Sequence, residues 1–186
     1  MLDVASGRPA ASAAVSGRLQ IVTADQSHAA GLQVLITEAL AQEGQSWSGN
    51  AARHTETEIS IPEIHALIEA QRSHLLVAMQ GQVIVGCVLV TCLAGGRSAL
   101  GLLGVDPRFR RRGLGARLIA AAELVAGNSF GSNQIELCVL VERATLSAYY
   151  ARFGFAPTGE HRTVPLADAT MEFLVMAKPL AQALAA

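Results

Sequence analysis

The chain has 186 residues, 51% of them hydrophobic and 16% charged, with a formal net charge of −1. That length suits one domain with a sizeable core, and the composition excludes a disordered chain. A general nucleic-acid binder would carry a basic excess, and no apolar run reaches the ~18 residues of a membrane span.

Met1 to Gly17 is rich in Ala and Ser, without the basic start or compact apolar centre of a signal peptide. It reads as a loose extension over 1–18. Leu19–Thr23 reads as a first strand. His28–Gln42 carries Leu32, Leu35, Ile36 and Leu40 at helical spacing. Glu43–Thr57 is polar and is expected to be a loop or a broken helix. Ser60-Ile61-Pro62-Glu63 has the form of a capping box with Pro in the first turn, so a helix to about Arg72 should follow. Leu75–Met79 and Val83–Thr91 are β-rich runs joined by Gln80-Gly81-Gln82, a hairpin signal. Ala99–Val105 is the next strand, Leu114–Ala126 a helix closing near Gly127, and Ile135–Val141 another strand. Arg143–Phe153 is helical and stopped by Gly154. A short strand is left open before Met171–Ala177, the last strand, which Pro179 ends. The order is mixed, without a regular βαβ repeat, which disfavours a dinucleotide-binding fold.

Cys87, Cys92 and Cys138 sit in or beside strand-like apolar runs without CxxC spacing. Buried free thiols in a reducing, cytoplasmic setting are expected, with no disulfide framework. The five histidines show no metal-ligand spacing, so no metal site is expected.

The segment Val105-Asp106-Pro107-Arg108-Phe109-Arg110-Arg111-Arg112-Gly113-Leu114-Gly115-Ala116 carries the chemistry. An apolar strand runs into a Gly-containing turn, and the turn opens a helix. A helix N-terminus has unpaired N–H groups and a partial positive charge, so it attracts anions. Arg110, Arg111 and Arg112 are poorly placed there unless an anion sits among them, which points to a phosphate-bearing cofactor. Gly113 removes a Cβ from the path of such a group. Gly115 can fit the helix tightly against the sheet. Amides from about Arg111 to Ala116 can donate to phosphate oxygens, as in other anion nests. The alternative is an ordinary turn with a solvated Arg cluster. The third Gly of GxGxxG is missing, with Leu118 in its place, which disfavours NAD.

Arg110-x-x-Gly113-x-Gly115 matches a Q/R-x-x-G-x-G/A signature. Downstream come Ala148-Tyr149-Tyr150-Ala151-Arg152-Phe153-Gly154-Phe155 and Thr158-Gly159-Glu160. With both motifs in this order, the chain resembles the GNAT superfamily of acetyl-CoA-dependent N-acetyltransferases over roughly Leu19 to Pro179. The resemblance implies a mixed α/β fold with a central, mostly antiparallel twisted sheet of about 6–7 strands flanked by about 4 helices. The domain would span 19–180, with a tail at 181–186. It further implies acetyl-CoA as cofactor, with the CoA pyrophosphate held by Arg110, Arg111, Arg112, Gly113, Leu114, Gly115 and Ala116. The pantetheine arm would pair with the backbone of Leu103, Gly104 and Val105. Tyr150 stands where the family often places a tyrosine that protonates the departing thiolate. Successive residues lie about 100° apart on a helix, so Tyr149 and Tyr150 are expected to face different places, with Tyr149 packing in the core. Where many members have an Asn contacting the CoA arm, this chain has Arg143, which could still meet cofactor phosphates.

An amine with a pKa of ~10 must lose a proton before it attacks. The strand Ala99–Val105 offers no acid. Glu43, Glu136 and Glu142 are candidate bases, each expected as a solvated surface carboxylate. The acceptor site is expected near Glu43–Glu58, which holds Glu43, Trp47, His54, Glu56 and Glu58. It is also expected near a loop Gly159–Ala169, which holds His161, Arg162 and Asp168. The reading is transfer of acetyl to a primary amine, for preference on a small molecule, with no nucleic-acid or membrane partner and with a homodimer left open. The cysteines lack a neighbouring His and are expected to be core residues. A non-catalytic acyl-CoA-binding or regulatory module of the same fold is the alternative.

Overall fold

The computed structural model describes residues 17–43, 59–165 and 170–181. Trp47, His54, Glu56, Glu58 and Asp168 lie outside the described residues, as do most of the expected N-terminal extension and the tail. Seven strands form one sheet in the order β1-β2-β3-β4-β5-β7-β6. They are β1 (Leu19–Thr23), β2 (Ser73–Gln80), β3 (Val83–Cys92), β4 (Arg97–Val105), β5 (Gln134–Leu140), β6 (Ala156–Pro165) and β7 (Thr170–Pro179). The helices are α1 (Ala29–Glu43), α2 (Ile61–Glu69), α3 (Leu114–Asn128) and α4 (Ala144–Ala151). No helix among the described residues is long and apolar enough to cross a membrane.

Every ladder is antiparallel except β4–β5, which is parallel and runs only from Arg97–Gln134 to Ala99–Glu136. Beyond that point the two central strands do not pair, so the sheet opens along β4. This opening positions the site.

The sheet's two faces make two cores. On one, α3 buries Leu114, Leu118, Ile119, Ala122 and Ala126 against Val85, Val90, Leu100, Ile135 and Leu137. On the other, Leu32, Leu35 and Ile36 of α1 and Ile64 of α2 cover Leu75, Val77, Cys87 and Leu102. Each fully buried Leu or Ile contributes about 1.5–3 kcal/mol, so the amphipathic spacing of α1 and α3 decides which face each covers. A Cβ at Gly86 of β3 would stand 2.9 Å from Leu118 Cδ1 and 3.1 Å from the Gly104 carbonyl. Gly86 is therefore the residue that lets α3 close on the sheet, the role expected of Gly115.

α2 begins with the expected reciprocal cap: Ser60 Oγ accepts from the Glu63 amide at 3.4 Å, and Glu63 Oε2 accepts from the Ser60 amide at 2.8 Å. The helix stops at Glu69 because Ala70 is extended, short of the expected Arg72. The larger difference is β6. The segment expected as a loop over Gly159–Ala169 is a strand as far as Pro165, hydrogen-bonded along one side to β7 at the edge of the sheet. Most of this edge strand is exposed and only Arg162 and Val164 are partly buried, so apolar alternation is weak and polarity there does not mean loop.

Candidate active site

The sequence Pro107–Phe109 makes a single 3-10 turn after β4. Its cap is Asp106, which is buried and accepts from the Arg108 amide at 2.8 Å. The same carboxylate holds the Arg108 guanidinium, with Nη2 to Oδ2 at 2.6 Å. Burial pushes the Asp106 carboxyl up. Hydrogen bonds from the Arg108 side chain and backbone, with the charges of Arg108 and Arg110, outweigh it and leave the group below its ordinary value. Asp106 thus draws Arg108 to the α1 side, where it borders a separate groove of about 440 Å3 with Glu38, Gln82 and Val83.

The next arginines go elsewhere. Arg110 Nε donates to the Val105 carbonyl at 3.3 Å. Arg112 lies over the Phe109 ring, 5.5 Å from its centroid. Arg111 and Gly113 both have left-handed backbone, with φ of 60° and 75°. Alternation of this kind turns successive amides towards one side, forming a concavity that suits an anion. Gly113 is the N-cap residue of α3 and has no side chain to cap the first-turn amides. A Cβ added at Gly113 would meet nothing within 4 Å, so the approach to those amides is open. This is a cradle that fits a phosphate group.

The cradle forms one end of a cleft of about 770 Å3. The sheet contributes Leu103 and Val105. The turn and α3 contribute Phe109, Arg110, Arg111, Gly113, Leu114, Gly115 and Ala116. The α4 region contributes Arg143, Thr145, Leu146, Tyr149, Tyr150, Arg152 and Phe153. Of the residues expected at the cofactor, Gly104 and Arg112 do not line it. Gly104 points to the α1 face, where its missing Cβ would stand 3.3 Å from Cys87 Sγ. No group of His, Cys, Asp and Glu among the described residues could hold a metal ion.

The two tyrosines correct the expectation in part: Tyr149 packs edge to face on Phe153 at the margin of the core, as expected, but does not face away from Tyr150. Both border this cleft, edge to face with ring centroids 5.3 Å apart. Tyr150 is the deeper one, 3% exposed and packed against Phe155. Tyr149 is half-buried and lies under the Arg152 guanidinium. Burial pushes its phenol up against the opposing charge of Arg152. The Tyr149 hydroxyl occupies the space a Cβ of Gly115 would take. Gly115 therefore accommodates α4 rather than the sheet.

The acetyltransferase (GNAT) domain family matches residues 71–157. That match spans β2 to the start of β6, including the sheet opening, the cradle and both tyrosines. The matched segment is a GNAT-type acetyltransferase domain. Solved structures share the fold. The ribosomal-protein-S18-alanine N-acetyltransferase of Escherichia coli is 18% identical with a TM-score of 0.66, over 89% of this chain and 96% of that one. The Salmonella typhimurium protein yncA, whose structure holds acetyl-CoA, is 16% identical with a TM-score of 0.67, over 91% and 98%. A PaiA N-acetyltransferase of Thermoplasma acidophilum, in complex with coenzyme A, is 15% identical with a TM-score of 0.67, over 87% and 99%. No curated protein matches the chain by sequence.

Two features of this GNAT domain were not anticipated. The first is a bulge in β4. Cys87 of β3 pairs with Gly104, but Leu89 pairs with Gly101, so Val88 alone faces Leu102 and Leu103. Leu102 has φ of 47°, a rare conformation for a leucine. The extra residue interrupts the ladder beside the cleft. The second is Glu136, which is 2% exposed and not a surface acid. Arg97 Nη1 donates to its Oε2 at 3.0 Å, and Arg162 Nη2 to its Oε1 at 2.8 Å. Burial acts to lower the Arg162 pKa, yet the hydrogen bonds to Glu136 and Glu160 win and raise it. This network joins β4, β5 and β6 where the sheet begins to open. Glu142 is exposed. Cys87 and Cys138 are buried and Cys92 is partly buried, all as free thiols.

Proposed function

We propose that the chain transfers an acetyl group from acetyl-CoA to a primary amine, with both substrates bound together. The observation that carries this reading is the cradle at the start of α3, open to solvent at Gly113 and continuous with a cleft bordered by β4 and Tyr150. The amides of the cradle, with Arg110 and Arg111, suit the CoA pyrophosphate. The backbone of Leu103 and Val105, within and just past the bulge, suits the amides of the pantetheine arm. Arg143 at the start of α4 is placed to meet the arm or a phosphate.

Acetyl-CoA supplies an activated thioester, whose C–S bond breaks as the amine nitrogen forms its bond to the carbonyl carbon. Tyr150 holds a phenolic proton for the departing sulfur, and the amine gives up its proton to a base or to water. Glu136 is committed to two guanidinium groups, which makes it a poor base and a good structural anion. The acceptor is a primary amine, with a small molecule preferred.

Calorimetric titration with acetyl-CoA, CoA and NAD tests the reading. Micromolar binding of acetyl-CoA and CoA without NAD is expected, followed by amine-dependent thiol release across a panel of acceptors. A chain that ignores acetyl-CoA has no acetyltransferase function.

A further inference from the structure

We propose that the Cys87 thiol is a positioning residue that holds the β4 bulge and thereby aims Leu103–Val105 at the cleft. This rests on the acetyl-CoA reading above. Leu102 adopts a left-handed conformation at φ of 47°, and for a side-chain-bearing residue such backbone persists only when its surroundings hold it. The interrupted ladder leaves groups of β4 without their regular partners, and buried backbone groups need some partner.

Cys87 supplies one. It is completely buried on the face opposite the cleft, and its Sγ donates to the Leu102 carbonyl at 3.3 Å. The neighbouring residue on β4 is Gly104, whose backbone also hydrogen-bonds the sulfur. The same sulfur therefore touches the strand on either side of Leu103. A Cβ at Gly104 would stand 3.3 Å from Sγ, tight enough to disturb this arrangement. Burial pushes the thiol up to about 12, with the Gly104 hydrogen bond opposing, so it stays protonated and remains a donor at neutral pH. Leu103 and Val105 then present to the cleft, which Cys87 itself does not line.

A packing role alone would depend on volume and apolarity, whereas this role depends on a donor and acceptor. Cys87→Ser keeps both, and Cys87→Ala removes both. The test is acetyl-CoA affinity by calorimetry together with backbone amide NMR shifts at Leu102, Leu103 and Gly104. Cys87→Ala should bind acetyl-CoA roughly fivefold more weakly, the loss of about one net hydrogen bond. Its bulge amides should move, while Cys87→Ser should restore both readouts to near wild type. Wild-type-like affinity and amide shifts in Cys87→Ala would overturn the proposal, as would a serine variant no better than alanine. A lowered Tm with unmoved amides would assign Cys87 to packing and overturn it equally. If the unaltered chain fails to bind acetyl-CoA, the functional reading falls. The amide shifts then decide the bulge role by themselves.

Discussion

Placing a carboxylate at Gly113 separates the cradle from the rest of the fold. The Gly113 Cβ direction is empty to 4 Å, so Gly113→Glu meets no steric obstacle. Its folding cost comes from the backbone, because φ of 75° is left-handed. That is about 1–2 kcal/mol for a residue with a Cβ. Gly113→Ala carries the same backbone cost without the charge and serves as the control. The glutamate adds a negative charge beside the first-turn amides and near Arg110 and Arg111. A pair of like unit charges ~4 Å apart costs about 4 kcal/mol at an effective dielectric of ~20. The cleft is open to water, and screening reduces this to about 2–3 kcal/mol. Acetyl-CoA should therefore bind on the order of 30- to 150-fold more weakly to Gly113→Glu than to Gly113→Ala. Calorimetry measures the affinities, and thermal melting shows that the two variants are equally folded. Equal affinity in the two would refute the cradle as the phosphate site.

Tyr150→Phe should lower kcat on the order of a hundredfold, the scale of a lost general acid, with acetyl-CoA affinity little changed. Full activity in that variant would leave Tyr150 as a packing residue. Glu136→Gln leaves Arg97 and Arg162 facing a neutral amide. Losing one member of a buried ion pair costs about 3–5 kcal/mol. Both guanidiniums are more than a third exposed, so about 1–2 kcal/mol is expected here. A urea midpoint that does not fall would show that the network contributes nothing. The Asp106 carboxyl lies below its unfolded pKa, so its contribution is fully present above about pH 4 and is lost as the pH falls through the folded value. Asp106→Asn should flatten that part of the acid-unfolding curve, and an unaltered curve would remove Asp106 from the account.

What could be read from the sequence was local. The cradle is encoded within a few residues: a strand, a left-handed glycine, a helix start. The β2–β3 hairpin and the Ser60–Glu63 cap are equally short-range. Glu136 was misjudged because its partners stand 39 and 26 residues away in the chain, and only the sheet order brings them together. β6 was left only as an open short strand, and Gly159–Ala169 was read as a loop, because a largely exposed edge strand shows little apolar alternation. The tyrosines were separated by counting degrees around one helix. Their cleft is wide enough to take both directions, and Gly115, on another helix, makes the room for Tyr149.

The bulge is the most instructive omission. Register between β3 and β4 is a property of two strands together, so Leu102 on its own signals nothing. The flanking residues carried a clue: Gly101 and Gly104 interrupt a run of leucines in β4. A glycine in a strand interior marks a bulge or a close approach of other atoms. Here Gly104 is the close approach, against Cys87, and Gly101 closes the altered register with Leu89. The interruption falls beside the widening gap between β4 and β5, so the strand that borders the cleft is the one released from regular pairing on both sides. A fully paired β4 would spend its amides on the ladder. The bulge and the opening leave some of them available, which makes this strand the part of the sheet best suited to bind an extended amide-bearing ligand.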